Sequence, residues 1–261
     1  MSKTIAFKHS GNTGDIIYAL AGIKAVCDKM DSKAVLYIWL DRPGFYYEGA
    51  KHPLGNVIMN QYMYDMLVPL LAEQDYIEDV LLYEGQKIVV DLDLIRQDFV
   101  NMPYGHIARW YFYLFPDMAC DLGKPWLKTW PSDRADMFKD TIIINRTSRY
   151  RNPYISYAFL RKYSDVMFVG TKDEFENVKI EIPNLKHLQI DHFLDLAYVI
   201  KSCKVFVGNQ SMCYAIAEAV KAPRIVELCK FAPNVIPQGD GPAYDFYTQH
   251  AFEFYVEQLM N

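Results

Sequence analysis

Nothing in this sequence spells G-x-G-x-x-G, so the usual dinucleotide fingerprint is missing and an NAD-dependent reading loses its support. Cysteine is scarce. The five present (Cys27, Cys120, Cys203, Cys213, Cys229) are odd in number and scattered, with no C-x-x-C pair, which fits reduced core thiols rather than disulfides or a zinc site. The six histidines show no metal-ligand spacing either, and no cofactor is expected. The opening "MSKTIAFKHS" lacks the basic start, long apolar centre and small-residue cleavage site of a signal peptide. No apolar run approaches the length of a membrane span, so the expected location is the cytoplasm, with no transmembrane segment. Positive charge is not in excess. A net charge of -5 gives no global attraction to nucleic acid, although a local basic groove would leave a nucleic-acid acceptor open, and small-molecule partners are favoured.

What is present is ample apolar material, 51% of 261 residues, enough for one large core or two modest ones. The first half alternates strand-like and helix-like periods. "TIAFKH" precedes a stripe of Ile16, Leu20, Ile23 and Cys27, and "AVLYIWL" follows, which reads as β-α-β. Further strands are expected at "DVLLY" and "KIVVDLDL", with helices at "QYMYDMLVPLLAEQ" and "GHIARWYFYLF". The aromatic "ARWYFYLF" could dock a sugar or lipid-linked acceptor, but helical core is favoured. From Cys120 to Asp140 prolines and charges break the period, as a linker would.

The alternation then resumes. "TIIIN", "DVMFVG", "KVFVGN" and "RIVELC" are continuous apolar runs that suit central strands of a parallel sheet, and "SYAFLRKY", "HFLDLAYVIKSC" and "SMCYAIAEAV" read as helices between them. The tail "YDFYTQHAFEFYVEQLMN" reads as a final helix. The fold class is therefore α/β, with two doubly wound halves.

In such sheets ligands bind beyond the carboxyl ends of the strands. Three segments end strands with chemistry to offer. In "HSGNTGDIIYAL", Gly11 and Gly14 permit close backbone approach, Asn12 or Thr13 caps the helix, and Asp15 falls in its first turn. There Asp15 either complements the helix dipole or does chemistry. In "GNQSMCYAIAEAVKAP", Gly208 lets a ligand approach. Asn209, Gln210 and Ser211 stand beside the free N–H groups of a helix start, a natural diphosphate site. Glu218 lies roughly 10 Å further along nearly the same face, where a carboxylate could meet a ribose. The alternative is an ordinary capped helix with a solvated Glu218. In "NRTSRYRNP", Arg146, Arg149 and Arg151 cluster at a strand end, and their guanidinium forks match phosphate oxygens.

The strand, "GD" loop and apolar helix of "GNTGDIIYALAGIKAV", together with "LAYVIKSCKVFVGNQSMCYAIAEAVKAPRIVEL", resemble glycosyltransferase family 9, the bacterial heptosyltransferases of the GT-B fold. The resemblance covers about the first 27 residues and about 140 to 230. It implies two Rossmann-like domains facing a cleft: an acceptor-side domain over 1–125, a nucleotide-sugar domain over 140–242, and a C-terminal helix over 243–261 packing back on the N-terminal domain. It further implies metal-independent transfer of a hexosyl or heptosyl group, with inversion, from a nucleotide-sugar donor to a glycan, lipid-linked or other hydroxyl acceptor. By the same comparison Asp15 matches the proposed base, Arg146 and Arg149 lie where phosphate-binding side chains occur, and Asp173 or Glu174, after Gly170 and Thr171 of "FVGT", lie where an acidic residue often meets the ribose. Gln210 and Ala215 stand where the family commonly has Asp and His, and Met212 where it has glycine. That leaves open a nucleotide-sugar binding protein without turnover, and a nucleotide-sugar epimerase or a DNA-modifying transferase on the same scaffold. Asp91 and Asp93 in "IVVDLDL" form a D-x-D, the basis of a rival, metal-dependent GT-A reading.

Overall fold

A computed structural model of the chain describes residues 3–44, 57–97, 106–119, 121–130, 135–230, 234–239 and 241–261. Its first half runs β1 (Lys3–His9), α1 (Thr13–Met30), β2 (Ser32–Ile38), α2 (Gln61–Ala72), β3 (Ile77–Leu82), β4 (Val90–Asp91) and α3 (Ile107–Phe112). These strands form a parallel sheet in the order β3-β2-β1-β4. The second half runs β5 (Ile142–Asn145), β6 (Val166–Phe168), α4 (Lys172–Lys179), β7 (Lys186–His187), α5 (Phe193–Ser202), β8 (Val205–Asn209), α6 (Met212–Val220), β9 (Arg224–Glu227), β10 (Ala243–Phe246) and α7 (Gln249–Met260). Its six strands are also parallel, in the order β10-β9-β8-β5-β6-β7. The α/β class is as expected.

The apolar runs explain the central strands: all residues of β5, β8 and β9 are buried, as strands covered on both faces must be. One core joins the two halves, because α1 and α6 pack together and their apolar faces belong to the same cluster. The stretch after α3 reinforces the junction. Trp126 donates its indole N–H to Ile17 O of α1 and its backbone N–H to Ala219 O of α6. A second core lies on the other face of the larger sheet, where Phe252 and Val256 of α7 pack with Ile142, Ile144 and Val207. Thus α7 packs on the C-terminal sheet, whereas it was expected to return to the N-terminal half. The reason is its apolar face: Phe252 stacks on Phe246 at 4.2 Å and contacts Tyr157 at 4.7 Å.

Other expectations need correction. "YDF" belongs to β10, which pairs with β9, so the final helix begins only after the Thr248 cap. "SYAFLRKY" yields a short 3₁₀ turn over Ala158–Lys162, and "KIVVDLDL" pairs only at β4 before a 3₁₀ turn over Leu92–Arg96. α4 was missed, although Thr171 and Glu174 spell a capping box that marks its start. Four cysteines are buried and unpaired, and burial pushes the thiols of Cys27 to about 11 and Cys203 to about 12, so they are inert packing groups. Cys120 lies outside the described residues.

Candidate functional site

The "GNTGD" loop turns sharply from β1 into α1, and a buried histidine holds it. His9 Nδ1 accepts the Gly11 N–H at 2.8 Å, so its proton resides on Nε2 and is donated to the Tyr111 hydroxyl at 2.7 Å. Burial lowers the His9 pKa against the opposing pull of the Asp93 and Asp15 charges, keeping the ring neutral. Gly11 has no alternative, since a Cβ there would sit 2.4 Å from the His9 ring. Asn12 occupies the N-cap position of α1 and Asp15 the third helical position. Asp15 Oδ2 accepts the Asn12 N–H at 3.3 Å and an Arg96 N–H at 2.5 Å, while Oδ1 has no partner among the described residues. One oxygen is thus anchored by the loop and Arg96.

α6 begins directly across from this loop. A Cβ at Gly14 would lie 3.4 Å from Met212 Cα, so the two helix starts nearly touch. Ser211 caps α6 by accepting the Tyr214 N–H at 3.2 Å. Between the helix starts lies a cavity of ≈ 130 Å³ lined by Asn12, Thr13, Gly14 and Asp15 from one side and Gln210, Ser211 and Met212 from the other. The Gln210 Oε1 atom is buried without a hydrogen-bond partner among the described residues. A larger cavity of ≈ 320 Å³ adjoins it, sharing Met63, Arg149, Ser211 and Met212. It lies beyond the carboxyl ends of β5, β6 and β7, with Gly170, Thr171 and Glu174 on its wall and the methionines of α2 opposite. Gly170 has φ +144°, a conformation that favours glycine, and its missing side chain leaves room for Asn145. Asn145 was not anticipated. It is 2% exposed and lines the larger cavity; its amide donates to Val169 O at 2.7 Å while its Oδ1 has no partner among the described residues. A buried acceptor of this kind calls for a donor from a ligand or water.

The structure therefore brings Asn12, Thr13, Gly14, Asp15, Arg149, Gly170, Thr171, Glu174, Gln210 and Ser211 onto one joined cleft, and it removes several other candidates. Arg146 is buried, pairing with Glu227 through Nε at 2.9 Å and donating to Ile155 O at 2.8 Å, with its guanidinium 4.5 Å from the Tyr157 ring centre. It organises the loop and lines neither cavity. Arg151 bonds the carbonyls of Arg146 and Thr147. Glu218 is not solvated, and it lines neither cavity. It is fully buried, bonded to Arg224 at 2.5 Å, Lys221 at 2.6 Å and the Gln238 N–H at 3.1 Å, with His106 Nε2 at 3.6 Å. Burial acts to raise its pKa, but the His106 ring, Arg224 and Lys221 outweigh this and hold it low. Asn209 is spent on the loop after β5: its Oδ1 accepts the Thr147 N–H at 2.9 Å and its amide donates to Thr147 O at 2.9 Å. Gly208 serves close packing, because a Cβ would meet Asn145 O at 2.6 Å. Asp173 is exposed and outside both cavities.

The D-x-D carboxylates are also engaged within the fold. Lys8 Nζ lies 2.7 Å from Asp91 and 3.5 Å from Asp93, and Asp93 accepts the Ser10 N–H at 2.8 Å. These aspartates brace β1 against the 3₁₀ turn that carries Arg96 to Asp15. Among the described residues no cluster of three or more His, Cys, Asp or Glu could hold a metal ion. No described helix is long and apolar enough to cross a membrane.

No protein-family model matches the chain, and no curated protein sequence matches it. Solved structures do. The chain shares the α/β fold of GT-B glycosyltransferases. It superposes on a glycosyl transferase family 9 structure from Veillonella parvula with a TM-score of 0.59 at 10% identity, covering 99% of this chain and 89% of that one. It superposes on the E. coli heptosyltransferase WaaC with ADP-2-deoxy-2-fluoro heptose with a TM-score of 0.60 at 10% identity, covering 98% and 99%. For E. coli ADP-heptose lps heptosyltransferase II the TM-score is 0.60 at 12% identity, covering 99% and 98%. At these identities the likeness is one of fold.

Proposed function

We propose that this protein is a glycosyltransferase that moves a sugar from a nucleoside-diphosphate donor to an acceptor hydroxyl, with inversion and without a metal ion. The observation that carries the reading is the meeting of two helix starts across one cleft, with Asp15 on one and Gln210 and Ser211 on the other. The likeness in fold to structures solved with ADP or an ADP-sugar analogue supports the donor class.

In this reading the nucleoside occupies the larger cavity. Its apolar wall of Met63, Met66, Val169 and Phe193 suits a base, while Thr171, Glu174 and Asn145 offer acceptors to ribose hydroxyls. The diphosphate lies at the α6 start, where Arg149 and the free N–H groups of the first turn meet negative charge. The sugar then lies in the smaller cavity beside Asp15. Oδ1 of Asp15 takes the acceptor proton as the acceptor oxygen attacks the anomeric carbon. The bond from that carbon to the diphosphate breaks, and the departing charge is received by Arg149 and the α6 dipole. Arg96 orients the carboxylate. Metal independence is supported by the pairing of Asp91 and Asp93 with Lys8.

Calorimetry with ADP, UDP and GDP and their hexose conjugates tests the donor site. Single-turnover transfer then tests the base. Asp15→Asn is expected to fold and bind nucleotide normally while transfer falls at least about 100-fold, the usual scale for a lost general base. Transfer at the wild-type rate would reduce Asp15 to a helix-start charge.

A further inference from the structure

Three consecutive N–H groups in the turn from β1 into α1 are held by side chains. Ser10 N–H donates to Asp93 Oδ1 at 2.8 Å, Gly11 N–H to His9 Nδ1 at 2.8 Å and Asn12 N–H to Asp15 Oδ2 at 3.3 Å. Two of these acceptors are carboxylate oxygens. The third is an imidazole nitrogen, which accepts only while it carries no proton. A neutral histidine keeps its proton on one nitrogen or the other, and here α3 makes the choice. The Tyr111 hydroxyl, 2.7 Å from Nε2, takes the Nε2–H and leaves Nδ1 bare, and both side chains are buried, so no solvent competes. A proton on Nδ1 would face the Gly11 N–H donor to donor, with Asp93 Oδ1 at 3.9 Å as the nearby acceptor for it.

We propose that His9 is a positioning residue for transfer: as the Nε2–H tautomer selected by Tyr111 it fixes the peptide ahead of Gly11, and thereby the path of the loop that presents Asp15. The proposal rests on the glycosyltransferase reading for what Asp15 does there. The link is short. Gly11 joins the two peptide units whose N–H groups bond His9 and Asp15, and a residue without a Cβ offers little resistance to rotation between them once the His9 bond is lost. Tyr111 thus gives the aromatic segment of α3 a role in the site beyond core packing. Burial lowers the His9 pKa; the charges of Asp93, Asp15 and Asp91 act to raise it and that of Arg96 to lower it, and Lys8, next to it in β1, is paired with Asp91. The ring is therefore neutral at neutral pH, and transfer falls only below the free-histidine value of about 6.5, as the ring takes up its second proton.

Long-range nitrogen–proton NMR correlation on the full chain reads the His9 tautomer and its titration with no substrate present. Nδ1 is expected to be bare and Nε2 protonated at pH 7; a proton on Nδ1 would overturn the proposal. His9→Leu removes the acceptor, whereas His9→Asn supplies an oxygen that takes the N–H two residues on, as in an Asx-turn, and does not titrate. Single-turnover transfer from the nucleotide-sugar that calorimetry selects should fall about 100-fold in His9→Leu, the scale of a reacting group misplaced by about 1 Å, with nucleotide affinity within about twofold of wild type. His9→Asn should restore most of the transfer and lack the acid limb that coincides, in wild type, with the His9 titration. Tyr111→Phe keeps the packing and removes the hydroxyl, so part of the ring population should carry its proton on Nδ1, with a matching loss of transfer. That variant decides the matter if circular dichroism shows His9→Leu unfolded. Wild-type transfer in His9→Leu or Tyr111→Phe, equal loss in the two His9 variants, or an acid limb unchanged in His9→Asn would each overturn the proposal. A wild-type protein that transfers sugar from no donor would sink the glycosyltransferase reading instead, which the other failures leave standing.

Discussion

Replacing Glu218 by Gln separates a structural carboxylate from a ribose ligand. The side chain is fully buried and shared by Arg224, Lys221 and the Gln238 amide, and Arg224 is itself fully buried. The carboxamide keeps the shape but removes the charge, leaving two cations in the interior without their counter-ion. Breaking a buried pair in this way costs about 3–5 kcal/mol. Arg224 still donates to Ala222 O and Gln238 O, and Lys221 to Gln238 O, which places the loss at the lower end. About 3 kcal/mol at roughly 2–4 °C per kcal/mol for a chain of this size predicts a melting temperature lowered by roughly 6–12 °C. Scanning calorimetry at pH 7 reads this, and isothermal titration below the transition reads nucleotide affinity, which should stay within about twofold of wild type. An unchanged melting temperature with nucleotide affinity lost would refute the reasoning and return Glu218 to the ribose.

Three further outcomes follow from the same geometry. Arg146→Ala, which strands buried Glu227, should destabilise by about 3–5 kcal/mol, whereas Arg149→Ala should leave denaturant unfolding within about 1 kcal/mol and weaken nucleotide binding about tenfold. A reversal of these two effects would exchange their roles. Burial lowers the pKa of both His9 and His106, so the unfolded chain binds their protons first as pH falls. Stability from these rings is complete above the free-histidine value of about 6.5 and declines below it by up to about 1.4 kcal/mol per pH unit per ring, so urea midpoints from pH 8 to 5 should fall, and His106→Asn should flatten the slope. Chelation by EDTA should leave nucleotide binding and transfer unchanged; loss on chelation, restored by a divalent ion, would revive the Asp91 and Asp93 metal reading.

The sequence by itself determined the alternation of strands and helices, because buried parallel strands must be written as unbroken apolar runs and "TIII" and "VFVG" are such runs. It also determined that Asp15, Gln210 and Ser211 would stand at helix starts after strands, since glycine, a capping side chain and an apolar stripe in succession admit few other structures. Thr171 and Glu174 could have added α4 by the same logic. What tertiary structure alone decided was the use of each charge. Arg146 and Arg149 are the same residue type three positions apart, yet one finds Glu227 across the sheet and the other lines the cleft, because the loop fold between them is fixed by Asn209, sixty-two positions further on. Glu218 sits on the helix face where periodicity put it, but the packing of α1 and α6 turned that face inward and Arg224 arrived from β9 to neutralise it. Arg96 reaches Asp15 across eighty-one positions with no local pattern to announce it. Local sequence sets backbone geometry through short-range sterics and hydrogen bonds. The partner of a charge is set by which distant segments are folded together to exclude water.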